Sequence, residues 1–175
     1  MRIRHILAVA AVLTLALTGC GTDSTGPRDP IGTVAAPSPI KDPEPNKALD
    51  AKTVLAKLVR ADLGLTRGAV QDEDTDPNDL LGRPRGYTSR ASAELPGGDK
   101  ASDPYTINRG LVIEVFATVE DADRRAEYIK GLLDAAPILG SEYQYRTDEG
   151  RVLVRVSGKV KPSLAEKIAA TVAEL

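Results

Sequence analysis

The sequence has no tryptophan, one phenylalanine, one methionine, one histidine and one cysteine among 175 residues. The histidine is His5 and the cysteine is Cys20, so everything after residue 20 lacks both imidazole and thiol. That excludes a Ser/His/Asp triad, a Cys/His pair, a histidine-based zinc site and an intramolecular disulfide from the rest of the chain. Carboxylate, lysine, tyrosine and oxygen-ligand chemistry remain. Aromatic residues make up only 3% of the chain, which weighs against the ring platforms that sugar sites often use. A basic excess is also missing: 23 Lys+Arg stand against 25 Asp+Glu. A chain of this charge has nothing to hold the phosphates of a nucleic acid, and none is expected as a partner.

The long apolar run of a membrane span is absent too. Ile6 to Leu17 is apolar except for Thr14, short of the roughly 20 residues that cross a bilayer. Arg2, Arg4 and His5 precede it and the small pair Thr18-Gly19 follows, the layout of a signal peptide. An uncleaved anchor helix and a plain signal with a chance cysteine are the alternatives. Leu17-Thr18-Gly19-Cys20 resembles the lipobox of bacterial lipoproteins. That resemblance implies cleavage before Cys20, a thioether-linked diacylglyceryl group on Cys20, and a protein held on the extracytoplasmic face of the cell membrane. Two acyl chains anchor stably where one binds marginally. The 23 Lys+Arg less Arg2 and Arg4 leave 21 against 25 Asp+Glu, a net charge near −4 after cleavage. Attachment would then rest on the lipid rather than on anionic headgroups.

Residues 20–48 are rich in Gly, Thr, Ser, Pro and Asp, with Pro27, Pro30, Pro37, Pro39, Pro43 and Pro45 spaced through them. Ile31, Val34 and Ile40 keep no helical or strand period. Such a stretch cannot bury enough apolar surface to offset the entropy of ordering, and its prolines make it an extended spacer. Residues 1–19 are thus expected to be the signal, 20–48 a lipidated tether, and 49–175 one small domain.

Within that domain, Val54, Leu55, Leu58 and Val59 recur at helical spacing over about residues 48–63, with Asp50 as a cap and Gly64 as the stop. Tyr87, Ser89, Ala91, Ala93 and Leu95 alternate with Thr88, Arg90, Ser92 and Glu94, a half-buried strand. Leu111 to Ala117 is almost wholly apolar and belongs at the centre of a sheet. Thr118 with Asp121 forms a capping-box variant for a helix reaching about Ala135, buried along Ala122, Ala126, Ile129 and Leu133. Tyr143–Arg146 and Val152–Val156 flank a turn and read as a hairpin. Pro162 opens a last helix, with Ser163 and Glu166 as a second capping box and Leu164, Ile168, Val172 and Leu175 as its stripe. The order α-β-β-α-β-β-α predicts an α+β two-layer sandwich: about four mainly antiparallel strands with helices on one face. The β-α-β-β-α part resembles a ferredoxin-like arrangement, an analogy that carries no function.

Three sets of residues invite chemistry. Asp72, Asp74 and Asp76 alternate as in an EF-hand, but Pro77 occupies the glycine position and Arg83 the place of the bidentate Glu. A solvated acidic loop is the simpler expectation, with a looser calcium site as the alternative. Arg83, Arg85 and Tyr87 lie in Leu80-Leu81-Gly82-Arg83-Pro84-Arg85-Gly86-Tyr87, a turn whose arginines can either hold an anion or pair with the acidic loop. Glu94 and Glu114 are the candidate pair for a carboxylate hydrolase, and their alternation places both outward, toward solvent. No P-loop pattern is present and no cofactor or metal is expected.

The run 80–89, together with Ile113-Glu114-Val115-Phe116, Tyr128-Ile129 and Glu142-Tyr143-Gln144-Tyr145, resembles small uncharacterised lipoproteins of actinobacterial type. The resemblance implies envelope localisation and assigns no catalytic residue. The leading expectation is a non-enzymatic binding or accessory module with a protein partner in the envelope. A carboxylate hydrolase and a calcium- or anion-responsive module are the alternatives.

Overall fold

The computed structural model describes residues 49–147 and 149–175. Cys20, the signal and the tether lie outside the described residues. Among the described residues the elements run α1 (Ala51–Arg60), β1 (Thr66–Gln71), β2 (Tyr87–Glu94), β3 (Gly110–Phe116), α2 (Val119–Ala135), β4 (Glu142–Arg146), β5 (Val152–Ser157) and α3 (Pro162–Ala173). The strands form one antiparallel sheet in the order β1-β2-β3-β5-β4. The class is α+β, as the residue pattern predicts, and the apolar β3 takes the central position.

The sheet has five strands rather than four. The extra one, β1, carries Thr66-Arg67-Gly68 and has only Gln71 buried, so it shows neither an apolar run nor a clean alternation. It exists because β2 offers it a free edge: Ala69, Val70 and Gln71 pair with Ser92, Ala91 and Arg90.

The helices do not share one face either. α1 and α3 cover one side of the sheet. Val54, Leu55 and Leu58 of α1 and Ile168 and Val172 of α3 join Ala91, Ala93, Leu111, Ile113, Val115, Val152, Val154 and Val156 in the main core. α2 lies on the other side, where Ala122 packs with Tyr87, Phe116 and Leu153. The described domain is therefore three layers deep rather than a two-layer sandwich, and the ferredoxin-like analogy fails on its helices. It survives only in pairing, since β5 lies between β3 and β4.

Local signals set most boundaries. Asp50 accepts a hydrogen bond from Thr53 N at 2.6 Å and caps α1. α1 ends at Arg60, before Gly64, because Asp62 already adopts a left-handed conformation. Thr118 accepts from Asp121 N at 3.2 Å and so caps α2 as expected, while the Asp121 carboxylate accepts from the Thr118 hydroxyl at 2.9 Å rather than closing a capping box on the Thr118 amide. α3 lacks the second capping box: Pro162 occupies the first helical position, so Lys161 is the N-cap and no side chain bonds there.

Tyr87 also departs from simple alternation. The β2–β3 register shifts between Tyr87 and Ser89, and this bulge sends the two side chains to opposite sides. Ser89 Oγ accepts from Ala51 N at 2.9 Å on the α1 side, while the Tyr87 ring meets Phe116 edge-on at 6.0 Å on the α2 side.

Candidate functional site

The face of the sheet under α2 is polar, yet it is buried. Each strand contributes: Gln71 from β1, Arg90, Ser92 and Glu94 from β2, Glu114 from β3, Arg155 from β5 and Glu142 from β4. All but Glu142 are less than a tenth exposed, and the Glu142 side chain is 7% exposed. Burying such groups is costly unless each finds a partner. Here charges alternate across the strands. Arg155 donates to both Glu142 oxygens (Nε 2.8 Å, Nη2 2.6 Å) and to Glu114 Oε1 at 2.9 Å. Arg125 reaches down from α2 to the same Glu114 carboxylate with two bonds of 3.2 Å. Burial opposes the charge on Arg155, but its hydrogen bonds to Glu142 and the proximity of Glu114 hold its pKa above the ordinary value.

Arg90 is 1% exposed and extends the row toward β1. It donates to Gln71 Oε1 at 2.8 Å and to the Tyr105 carbonyl at 2.7 Å, while its Nε lies 3.5 Å from Asp76 Oδ1. Burial pulls its pKa down, against the attraction of Tyr87, Glu114 and Asp76.

Asp76 is the residue that shapes the acidic loop. It accepts from the amides of Asn78, Leu80 and Leu81 at 2.8–3.1 Å and from the Tyr87 hydroxyl. Burial works to raise its pKa; the Tyr87 hydroxyl and those amides prevail and hold it below the usual carboxylate value. Asp72 turns instead to Thr75, bonding its amide at 2.9 Å and its hydroxyl at 2.6 Å. The three aspartates thus do not converge: Asp72 and Asp74 are exposed while Asp76 points into the domain. Among the described residues no cluster of three acidic or other ligating side chains is placed to hold a metal ion.

Arg83, Arg85 and Tyr87 are separated in the same way. Tyr87 is fully buried, and its hydroxyl, 2.6 Å from Asp76 Oδ2, is pushed to a higher pKa by burial and by that carboxylate. It anchors the loop and presents no surface. Arg83 pairs with Asp79 at 2.8 Å on the exterior. Arg85 alone faces a groove of about 560 Å³ between this loop and α2, which it lines with Leu80, Arg124, Arg125, Tyr128 and Leu132. It does so from a left-handed backbone, φ +64°. Gly86 follows because a side chain there would run into the Leu80 carbonyl.

Glu94 and Glu114 occupy neighbouring strands on one face, as their spacing implies, but neither faces solvent: they are 5% and 0% exposed. Alternation places them on the polar side; α2 and the segments 72–86 and 97–109 then cover that side. They are also far apart. Glu114 is in register with Arg90, four residues from Glu94 along β2. At the strand rise that is roughly 13 Å, beyond the roughly 5–9.5 Å of paired glycosidase carboxyls. Arginines occupy both.

A second concavity, of about 400 Å³, opens where β1 meets β2 and is walled by the 104–109 segment. Glu94 and Arg109 lie in it. Arg109 donates through Nε (3.1 Å) and Nη2 to Glu94 Oε1, and through Nη1 to the Ser102 carbonyl at 2.7 Å. These bonds hold the Glu94 pKa below its ordinary value. Sequence reading missed this place because its walls come from β1, β2 and a segment without regular structure. The one available signal was Arg67-Gly68, a charged residue beside a flexible one, at the edge of what became β1.

No family model matches the chain, and neither a curated protein nor a solved structure is significantly similar to it.

Proposed function

We propose that the chain is a lipid-anchored lipoprotein of the extracytoplasmic cell-membrane face, and that residues 49–175 are a non-enzymatic binding or accessory module carried on the 20–48 tether. The observation that supports the module best is that its buried carboxylates are already engaged. Glu114 is held by Arg125 and Arg155, Glu142 by Arg155, Glu94 by Arg109, and Asp76 by Tyr87 and three backbone amides. General acid–base work needs a carboxyl near the substrate with its proton free to exchange. Glu114, Glu142 and Asp76 serve the fold with both oxygens, and Glu94 is held there through Oε1. The anchor rests on Leu17-Thr18-Gly19-Cys20 and its apolar lead-in. Among the described residues no helix is long and apolar enough to cross a membrane.

Intact mass and membrane partitioning of the native protein against Cys20→Ser test the anchor. A polypeptide beginning at Cys20 with a diacylglyceryl addition, and release of the variant from membranes, are the expected results. A soluble, unmodified wild-type product would refute the anchor and return Cys20 to the chain as a reactive thiol.

A further inference from the structure

The cleft at the β1–β2 edge is built differently from the rest of the polar face. Elsewhere on that face both oxygens of a carboxylate are used. Glu94 takes its Arg109 bonds on Oε1 alone, and Oε2 accepts no hydrogen bond from any described residue. Its side chain is 6% exposed, so the remaining acceptor is available only from within the cleft. Beside it stands Arg67, whose side chain is 78% exposed; its Nε lies 3.9 Å from Glu94 Oε1 and its guanidinium makes no hydrogen bond to any described residue. Five N–H donors of fixed geometry are therefore open next to one open carboxylate oxygen.

The backbone holds them there. The β1–β2 register passes from Thr66↔Glu94 to Ala69↔Ser92, so β1 carries one extra residue at Arg67-Gly68. Arg67 adopts φ +46° in this bulge. Across the cleft Tyr105 adopts φ +63°, and buried Arg90 clamps its carbonyl at 2.7 Å. Two strained non-glycine residues thus flank one cavity, a conformation that surrounding structure must hold in place. Cations outnumber anions: Arg67 and Arg109 line the cleft against the one carboxylate of Glu94, and Lys100 lies close enough to act on it. Ala69, Pro104 and Tyr105 add less polar wall, and about 400 Å³ falls within the usual range of small-ligand sites.

We propose that this cleft binds a small carboxylate carrying a neighbouring N–H, the chemistry of an N-acylated amino acid or of a peptide C-terminus. The ligand carboxylate pairs with the Arg67 fork, and the adjacent amide N–H donates to Glu94 Oε2. Excess positive charge selects the anion. The open acceptor selects against anions without a donor, because a ligand that covers the acceptor and leaves it unpaired loses the water it displaced. The proposal rests on the binding-module reading but not on the anchor, which the mass and partitioning experiment tests separately.

The test is calorimetric titration of the full chain, in detergent, with N-acetylalanine, N-acetylglycylalanine, the C-terminal amide of the latter, acetate and inorganic phosphate. Both acyl amino acids are expected to bind. Capping the carboxylate or replacing Arg67→Ala should weaken binding at least about tenfold, with Arg67→Lys intermediate because it keeps the charge and loses the fork. Acetate and phosphate should bind more weakly. The Arg67 side chain makes no hydrogen bond to any described residue and its 3.9 Å pairing with Glu94 is exposed on the arginine side, so its loss leaves folding intact, and an unchanged circular dichroism melt checks this. Equal affinity for the two acyl compounds supports a free amino-acid derivative as the ligand; tighter binding of the longer one supports a peptide terminus. Equal binding of the capped peptide, of phosphate or by Arg67→Ala, or no heat with any probe, overturns the proposal.

Discussion

Replacing Glu114 with glutamine removes one charge from the centre of the buried row and changes almost no volume. Glu114 is 0% exposed and accepts three hydrogen bonds from two guanidinium groups. Breaking a buried pair by removing one partner costs about 3–5 kcal/mol, because the other charge stays desolvated. Two features place this case near about 3 kcal/mol. Arg155 keeps both of its bonds to Glu142, and the Arg125 side chain, 14% exposed, can turn toward water. Against a total stability of about 5–15 kcal/mol the loss is large. It should appear as a fall in the urea midpoint with unchanged slope and a drop in Tm on the order of 10 °C. Arg155→Met should cost at least as much, since among the described residues it strips Glu142 of its one arginine partner and Glu114 of one of two. The double variant should cost less than the sum of the two, because each exposes the same network. Asp134→Asn, which breaks the exposed Lys130–Asp134 pair, is the control and should leave the midpoint unchanged. A Glu114→Gln loss below about 1 kcal/mol, or strict additivity with Arg155→Met, would refute the idea that this row carries stability through mutual neutralisation.

Other outcomes follow from the loop and the core. Tyr87→Phe keeps the ring against Phe116 but removes the hydroxyl from Asp76, and should destabilise by about 1–3 kcal/mol in urea unfolding. Asp76 has its folded pKa below the ordinary 3.8, so its contribution is present above that value and lost as pH falls through the lower folded value. Unfolding midpoints should therefore hold from about pH 7 to 5 and decline below about pH 4, less steeply in Tyr87→Phe. Leu58→Ala empties a fully buried site beneath α1 and should cost about 2–5 kcal/mol in the same measurement. Arg83→Ala, whose partner Asp79 is equally exterior, should shift neither midpoint nor slope.

Much of the fold was legible from short-range signals. Thr118 and Asp121 announce the start of α2, Pro162 that of α3, and the unbroken apolar run of β3 its central place. These are decided by hydrogen bonds and periodicities within a few residues of one another. β1 was not legible, since an edge strand with one buried residue leaves little trace in its own composition. The side taken by α2 was equally hidden, because its moderately apolar stripe fits either face of the sheet.

The candidate site divides along the same line. Composition and strand periodicity settle which residue types are available: no imidazole or thiol beyond Cys20, and a row of acids and arginines on one face of the strands. Period-two alternation assigns Arg90, Glu94, Glu114 and Arg155 to a common face but cannot say whether that face meets water. That depends on long-range packing, which lays α2 and the segments 72–86 and 97–109 over it. Once covered, the charges had to neutralise one another or unfold the domain, and the ordinary solvated surface became a buried ion network. The same covering left one carboxylate oxygen of Glu94 and the guanidinium of Arg67 without a hydrogen bond to any described residue at the sheet's edge, because a bulge in β1 and a wall at Tyr105 keep that corner open.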